Sequence, residues 1–326
     1  MPALAARLAD LPAVATMATA ARARALRTAG HDVISLALGE PDFPTPPHVV
    51  EAAHEAARRG ETRYPPNEGT DELRRAVRAK FQRENGLDFA LDEVMVSTGG
   101  KQVLFNALAA TLDPGDEVVI PAPYWASYPL IVRMLGGTPV FVPCDEADAF
   151  HLRPERLAAA ITPRTCWVIL NFPGNPTGAA CDGRDLLAIA AVLERHDQLW
   201  ILCDEIYERL TFGAEPHRSL AALAPSLSDR ILTLSGVSKT YAMTGWRIGF
   251  AGGPRQLLRA MAGVQGNSTS GACSIAQAAA AAALDGPQDI VSTMRDTSRR
   301  RRDLVVGALR AIPGITCAEP EGAFYA

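Results

Sequence analysis

The sequence of 326 residues lacks the features that mark several classes of protein. Its six cysteines form no CxxC pair, which is typical of a reducing compartment, and its six histidines show no HxxxH spacing that would favour a metal site. No apolar run approaches the roughly 20 residues that a membrane-spanning helix needs. A net charge of -4 leaves no basic excess for nucleic acid or an anionic membrane surface. We therefore expect a cytoplasmic protein without nucleic-acid, membrane or metal partners.

Two common nucleotide-binding patterns are also missing. The chain contains neither the GxxxxGK[ST] loop of nucleotide hydrolases nor the GxGxxG turn of dinucleotide-binding domains. The second absence argues against a nicotinamide-dependent α/β enzyme.

What the sequence does contain, from residue 93 onward, is an alternation of short β-branched apolar runs with longer helical patterns. Alternation of this kind predicts an α/β fold in which helices flank a mostly parallel central sheet. The strand-like runs are EVMVSTGG, DEVVIPAP, TPVFVPC, CWVILNFPGNP, LWILCDEIY, ILTLSGVSK and RIGFAGGP.

Helix ends can be read from capping residues. One helix is predicted to begin after Pro47 and to stop at Gly60, because proline suits the first turn and glycine the position past the end. Another is predicted to begin after Thr70 as N-cap and to end near Gly86.

The domain organisation predicted from these patterns has three parts. Residues 1–45 form an N-terminal arm and part of a small domain, and residues 46–285 form the large domain. Residues 286–326 begin a smaller α+β domain that looks incomplete, since a long charged helix is followed by only a short segment before the chain stops.

Polar residues follow five of the strand-like runs. Ligands of open parallel sheets bind at the carboxyl ends of the strands, so these residues are expected to share one edge. Taken singly, each has an ordinary explanation: a helix start, a core aromatic residue or a helix N-cap. One joint site explains all five strand ends better than five separate coincidences do. Its members would be Gly100, Lys101, Tyr124, Trp125, Asn175, Asp204, Tyr207 and Lys239.

Lys239 indicates the chemistry of that site. It lies in the apolar run LSGVSKTYAMTGWRIGF, which contains no acidic residue. Desolvation lowers the pKa of a lysine in such surroundings, so that its free amine can form a Schiff base with a carbonyl. An aldehyde cofactor with a phosphate and a ring nitrogen would use the other polar residues.

The chain resembles the fold type I pyridoxal-phosphate (PLP)-dependent aminotransferases of class I/II, the aspartate aminotransferase group. The resemblance extends from SLALGEPDFPTPP at residues 35–47 to GAFY at residues 322–325. Its motifs occur in order, as YPPNEGTDELR, STGGKQ, PYWASY, NPTG, CDEIY and SKTYAMTGWRIGF.

The resemblance implies a role for each matching residue around PLP. Lys239 would hold the cofactor as a Schiff base and then act as general base and acid. Asp204 would keep the pyridine nitrogen protonated, while Tyr207 and Asn175 would hydrogen-bond the ring oxygen. Trp125 would stack on the ring. By this resemblance the catalytic residues are Lys239, Asp204 and Tyr207.

Further positions match the phosphate and subunit contacts of the family. Arg247 would grip the phosphate, helped by Gly100, Lys101 and Ser238. Tyr64 matches a residue that reaches the phosphate of the neighbouring subunit. The resemblance therefore implies a homodimer with shared active sites.

For the substrate, the resemblance implies an amino acid of the glutamate or aspartate type and a 2-oxo acid. Gly39, Trp125, Asn175 and Lys101 match substrate-binding positions, with Lys101 near the distal carboxylate of a dicarboxylic substrate and Thr16 close by. The sequence does not separate aspartate, aromatic and prephenate aminotransferases.

Two alternatives stay open beside the aminotransferase. One is a PLP-dependent lyase on the same fold, since the protein decides which bond of the bound substrate breaks. The other is a truncated, non-catalytic relative, because the family arginine that binds the substrate α-carboxylate follows the GAFY motif and has no counterpart before Ala326.

Overall fold

The computed structural model describes Ala5 and residues 15–213 and 215–326, which form one seven-stranded sheet with helices around it. The strands are β1 (Val94–Ser97), β2 (Glu117–Ala122), β3 (Thr138–Pro143), β4 (Thr165–Asn171), β5 (Trp200–Asp204), β6 (Ile231–Gly236) and β7 (Gly249–Gly252). The α-helices are α1 (Ala15–Thr28), α2 (Pro47–Arg58), α3 (Asp71–Lys80), α4 (Gly100–Ala109), α5 (Ser127–Met134), α6 (Pro154–Ala160), α7 (Gly183–Leu193), α8 (Leu220–Leu223), α9 (Val237–Thr240), α10 (Arg255–Gly266), α11 (Ser274–Asp285) and α12 (Asp289–Arg310).

The sheet has the strand order β1-β7-β6-β5-β4-β2-β3. Strand β7 runs antiparallel to both of its neighbours, and the other adjacent pairs are parallel. Each of the seven strand-like runs of the sequence forms one of these strands. The predicted α/β fold with a mostly parallel, helix-flanked sheet is therefore confirmed.

Strand register brings the polar strand ends side by side. Asn171, the last residue of β4, lies opposite Asp204, the last residue of β5, and Asp204 lies opposite Leu234 of β6. Strand β6 ends two residues later, at Gly236, and α9 with Lys239 follows at once. Parallel neighbours thus deliver their C-terminal residues to one edge of the sheet, as the sequence predicted.

Apolar side chains of the strands alternate between two cores. On β4, Val168 and Leu170 pack in a core with α2, α3, α7 and α11, whereas Trp167 and Ile169 pack in a second core with α4, α5 and α10. The alternation follows from the two-residue period of a strand. Because both faces are covered, each large apolar side chain contributes about 1.5–3 kcal/mol of burial.

The predicted helix ends are confirmed. The Thr70 hydroxyl accepts a hydrogen bond from the Leu73 amide at 3.3 Å, which caps α3. This helix continues as a π-helical turn at Phe81–Asn85 and stops at Gly86, whose φ of 70° is left-handed. Helix α2 begins at Pro47 and is followed by Gly60, with a φ of 80°.

The long helix α12 contacts the segment before α2, and the segment after α12 contacts the loop after β5. Arg301 of α12 binds the Asp42 carboxylate with two hydrogen bonds of 2.8 and 2.9 Å, and Thr211 forms an isolated β-bridge with Gly322. Within the described residues, no helix is both long enough and apolar enough to cross a membrane. The domain boundaries at residues 45 and 285 stay a prediction.

Candidate active site

Lys239 lies on the single helical turn of α9, directly after strand β6. Its Nζ donates a hydrogen bond of 2.6 Å to the carbonyl oxygen of Gly39, from the segment that precedes α2. Burial lowers the pKa of the Lys239 amine to about 8, an effect that the Glu40 carboxylate opposes and the Arg247 guanidinium strengthens. An appreciable fraction of this amine is therefore uncharged near neutral pH and able to act as a nucleophile or base.

Asp204 ends β5 as a buried carboxylate held by neutral donors. The Tyr128 hydroxyl donates to its Oδ2 at 2.7 Å, and the Ile206 amide donates to its Oδ1 at 3.2 Å. Burial raises the pKa of Asp204 to about 6, although the hydrogen bond from Tyr128 opposes this change. Among the described residues, no cationic side chain lies within ion-pair distance of this carboxylate, so it is well suited to a cationic group of a ligand.

Asn175 and Tyr207 approach each other from the loops after β4 and β5. Asn175 is oriented by Asn171, whose Oδ1 accepts a hydrogen bond of 2.9 Å from the Asn175 amide. The hydroxyls of Tyr207 and Tyr325 lie 2.6 Å apart, and Asn175 Nδ2 donates to the Tyr325 hydroxyl at 3.2 Å. Burial raises the pKa of Tyr207 well above its ordinary value, so this hydroxyl stays protonated. It can therefore donate a hydrogen bond to a ligand oxygen.

Glycines at the start of α4 allow Arg247 to lie against the backbone. A Cβ atom on Gly99 would overlap the Arg247 guanidinium, and a Cβ atom on Gly249 would overlap the Gly100 amide. Gly99 has a φ of 86°, which also disfavours other residues. The first N–H groups of a helix have no intrahelical acceptor, so the α4 terminus and Arg247 together form a surface suited to an anion.

Trp125 lies between this anion-binding end and Asp204. The Lys101 Nζ lies 4.9 Å from its ring centre, and the Tyr128 ring packs against it edge-on with centroids 5.4 Å apart. Lys101 is exposed, yet partial burial and the nearby Arg247 both lower its pKa. The lysine and the arginine therefore repel each other, and a shared anion would relieve that repulsion.

Gly39 and Ser238 complete the group that the structure brings together. A Cβ atom on Gly39 would overlap the Tyr325 hydroxyl, so only glycine leaves space at this point of the site. Ser238 is buried next to Lys239, and its hydroxyl has no hydrogen-bond partner among the described side chains and backbone.

Of the remaining predicted residues, Tyr124 stacks on Phe141 of β3 and lines a cavity with Asn175, whereas Tyr64 and Thr16 do not join this group. Tyr64 is 95% exposed and makes no contact with the site. The side chain of Thr16 lies outside the part of the chain that the structure describes. The roles assigned to the individual site residues stay predictions.

The charges of the site are unusual because so few are paired. Lys101, Lys239 and Arg247 have no carboxylate within ion-pair distance anywhere in residues 18–213 and 215–326. Within the same residues, Asp204 at the other end has no cation within ion-pair distance, only neutral hydrogen-bond donors. A ligand that is anionic at one end and cationic at the other would pair these groups, and the primary amine of Lys239 lies among them.

Two tyrosines of the site were not predicted from the sequence. Tyr128 holds Asp204, and Tyr325 bridges Asn175 and Tyr207. Both lie in motifs quoted above, PYWASY and GAFY. The available signal was chemical, because a buried tyrosine hydroxyl needs a polar partner, but the sequence does not identify that partner.

Comparisons with known proteins identify the family of this chain. Residues 31–326 match the family model "Aminotransferase class I and II". The chain is 55% identical over 305 residues to an aspartate aminotransferase of Rhizobium meliloti, covering 94% of this chain and 74% of that protein. It is 54% identical over 310 residues to an aspartate/prephenate aminotransferase of Cereibacter sphaeroides, covering 95% and 78%.

Solved structures give the same result in three dimensions. The crystal structure of a Rhizobium meliloti aspartate aminotransferase has a TM-score of 0.95 at 51% identity and covers 99% of this chain and 81% of that one. A Thermus thermophilus aspartate aminotransferase solved with maleate also has a TM-score of 0.95, at 44% identity, covering 99% and 84%. The chain therefore belongs to the class I and II aminotransferases.

Proposed function

We propose that this aminotransferase holds PLP at Lys239 and moves an amino group between a glutamate- or aspartate-like amino acid and a 2-oxo acid. One observation carries the proposal. Lys239, with a pKa of about 8, lies among unpaired charges, with cations on one side and the buried Asp204 carboxylate on the other. These are the groups that an aldehyde with a phosphate and a basic ring nitrogen requires.

The anion-binding end supports a phosphate. Arg247 presents a planar guanidinium beside Gly99, and the amides of Gly100 and Lys101 begin α4. A guanidinium and helix-terminal amides are both good phosphate donors. Ser238 would add its buried hydroxyl.

The opposite end supports a protonated ring. The Asp204 carboxylate would bind a ring N–H. The resulting ion pair would lower the pKa of Asp204 toward its ordinary range. Asn175 Nδ2 and the Tyr207 hydroxyl would donate to the ring oxygen from the positions where they now meet the Tyr325 hydroxyl. Trp125, which lies beside Tyr128, would cover one ring face.

The division of labour follows from these positions. PLP, when bound, accepts the electrons that the substrate Cα releases with its proton. Once the substrate amine has replaced it on the cofactor, the freed Lys239 amine would take that proton as a base and return one as an acid, which a pKa near 8 permits in both directions near neutral pH. The catalytic residues that we propose are Lys239, Asp204 and Tyr207.

For the substrate we propose a dicarboxylic amino acid. Two relatives described above are named aspartate and aspartate/prephenate aminotransferases, and the Thermus enzyme was solved with the dicarboxylate maleate. Lys101 is exposed and unpaired, so it could meet a distal carboxylate, and Gly39 leaves room beside Lys239.

We further propose a cytoplasmic homodimer with shared sites. Tyr64 supports it, because a tyrosine that is 95% exposed gains little in one protomer but could reach the phosphate of the partner subunit. We also propose that each chain is divided into an arm (residues 1–45), a large domain (46–285) and the start of a small domain (286–326).

The test is an absorbance spectrum of the purified chain with PLP, recorded before and after single amino acids are added. We expect aspartate or glutamate to convert the bound aldehyde form to the amine form, without release of ammonia. Release of pyruvate and ammonia would instead indicate a lyase. A protein that binds PLP but converts no amino acid would contradict the proposed transfer.

A further inference from the structure

The turn that carries Asp204 and Tyr207 has a second polar face. Asp204 and Tyr207 contact the candidate active site, whereas Glu205 and Glu208 of the same turn lie in a buried polar cluster on its other side. The side chains of Glu205 and Glu208 are 4% and 3% exposed. Two carboxylates buried so deeply must be compensated by specific partners.

Glu208 is compensated by three groups from different elements. It forms an ion pair with Lys80, at the end of α3, whose ammonium also donates to Asn85 Oδ1 at 2.8 Å. Asn85 Nδ2 and the Ser235 hydroxyl each donate to Glu208 at 2.6 Å. Ser235 belongs to β6, the strand that leads to Lys239. Glu208 therefore connects the turn to the element that bears the reactive lysine.

Glu205 has its own set of partners in the same cluster. The Ser219 hydroxyl donates to Oε1 at 2.8 Å, and Asn85 Nδ2 donates to Oε2 at 3.0 Å. The Nε2 of His217 lies 3.2 Å from the same Oε2. Burial acts to lower the pKa of His217, but the neighbouring Glu205 carboxylate outweighs burial and raises the pKa.

Each carboxylate of the cluster has a cationic partner when His217 is protonated. Lys80 and Glu208 form one pair, His217 and Glu205 a second, and Arg209 lies 2.8 Å from Glu84 in a third. The ligand atoms of Glu205, Glu208 and His217 are also close enough together to hold a metal ion. The Lys80 ammonium already contacts Glu208, however, and hydrogen bonds occupy both carboxylates. We therefore assign the place that a metal ion would take to the Lys80 side chain.

We propose that Lys80, Asn85, Glu205, Glu208 and His217 are positioning residues, which hold the turn so that Asp204 and Tyr207 face a ligand in the active site. The proposal rests on the proposed function, because it takes Asp204 and Tyr207 as cofactor-binding groups. We refer to these five residues as the rear network. None of them contacts Lys239, Asn175 or Arg247 in the described structure.

The reason that the rear network controls position is its connectivity. It joins the end of α3, the π-helical turn, the 205–208 turn, the loop before α8 and β6, which come from distant parts of the chain. Removing one charge leaves its partner buried without compensation, and the turn must move to hydrate it. Because Asp204 and Tyr207 are on that turn, their distances to a bound ring would change, and binding is sensitive to such displacements.

The experiment measures the PLP dissociation constant of the full chain and of charge variants, well below the melting temperature and with EDTA present. We expect Glu208→Gln and Lys80→Met each to weaken PLP binding about 10-fold or more. In the double variant Lys80→Met/Glu208→Gln no unpaired charge remains, so its loss should be smaller than the product of the two single losses. Glu55→Gln, which breaks an exposed pair with Arg59 on α2, is the matched control and should bind PLP normally.

A readout beyond affinity separates positioning from simple destabilisation. If Tyr207 and Asp204 are displaced, the pH at which the bound-PLP absorbance changes should shift by about half a unit or more in the single variants. A role in stability alone would lower the melting temperature but leave both this midpoint and the dissociation constant unchanged, and that result would overturn the inference.

Two further controls keep the inference testable. If Glu208→Gln does not fold, Ser235→Ala removes one hydrogen bond to Glu208 and keeps every charge, and we expect PLP binding about 3-fold weaker; unchanged binding in Ser235→Ala would contradict the proposal. Failure of the unaltered chain to bind PLP would instead overturn the proposed function, and normal binding by all variants would overturn the rear network alone.

Discussion

Lys80 and Lys239 are two of the three lysines in the chain, and they lie on opposite sides of the same turn. Lys80 is 3% exposed and forms ion pairs with Glu208 and Glu84. Lys239 is half-buried, donates only to the carbonyl of Gly39, and has no carboxylate partner in the described residues. One lysine is therefore held by carboxylate partners, whereas burial lowers the pKa of the other, which has no such partner.

The comparison distinguishes structural from functional charges. A buried charge with a full set of partners holds elements together and has little capacity to bind anything else. A buried charge without a partner is unfavourable in the empty site and gains most when a ligand supplies the partner. By this criterion we assign the rear network a structural role and propose that Lys239 and Asp204 bind a ligand.

The strongest test of this distinction is Lys239→Ala. Because the variant has no amine beside the bound ring, we expect turnover to fall by about 10⁴-fold or more, and the visible absorbance of lysine-bound PLP to disappear. The measurement is the initial rate of aspartate transamination together with the spectrum. Lys101→Ala removes another lysine of the site but keeps the Lys239 amine, so we expect the visible absorbance to persist; its loss in Lys101→Ala together with its retention in Lys239→Ala would contradict the assignment of Lys239.

Asp204→Ala should have the next largest effect. The variant keeps the phosphate-binding residues, so some PLP is retained, but the ring nitrogen loses its anionic partner. We expect turnover to fall by about 10²- to 10³-fold, the loss that follows removal of one preorganised electrostatic partner. Turnover and bound PLP are measured on the same sample, so that occupancy can be corrected. An unaltered rate per bound PLP would show that the ring needs no carboxylate.

Arg247→Met should act mainly on binding. It removes a charged hydrogen-bond donor from the proposed phosphate site, and we expect PLP affinity to fall by about 10- to 100-fold. Arg247→Lys keeps the charge without the planar fork, so its PLP affinity should lie between that of Arg247→Met and that of the original chain. Equilibrium titration with PLP measures both. Equal affinities for pyridoxal and PLP in the unaltered chain would contradict a phosphate site at Arg247.

Tyr128→Phe should have the smallest effect, visible mainly in the pH dependence. The Tyr128 hydrogen bond lowers the pKa of Asp204, which burial raises to about 6, so removing it should raise this pKa further. Since the ionised carboxylate is the form that binds a ring cation, PLP affinity should fall as the pH drops through about 6 in the original chain and through a higher pH in the variant. PLP affinity measured between pH 5 and pH 8 tests whether the fall occurs at a higher pH in the variant. A fall at a lower pH in the variant than in the original chain would contradict the account.

Much of the fold and of the active-site edge could be predicted from the sequence. The β-branched runs gave all seven strands, and the residues after them, such as Asn175, Asp204 and Lys239, lie at one edge because parallel strands end there. Thr70 and Gly86 marked helix ends because capping depends on local chemistry.

The contacts that could not be predicted join residues far apart in the chain. The Lys80–Glu208 pair spans 128 positions, and Asn175 and Tyr325 are separated by 150. Lys80 lies at the end of an ordinary amphipathic helix, where an exposed lysine is the usual expectation. Local patterns carry no information on such pairings, so the rear network became visible only in three dimensions.

The most direct measurement is reduction of the PLP complex with borohydride, followed by peptide mass spectrometry. The chain offers only Lys80, Lys101 and Lys239 as side-chain amines, so the label identifies the reactive one. We predict that the pyridoxyl group is found on Lys239 and not on the ion-paired Lys80. A label confined to Lys80 or Lys101, with Lys239 unmodified, would contradict the assignment of Lys239 as the cofactor-binding group.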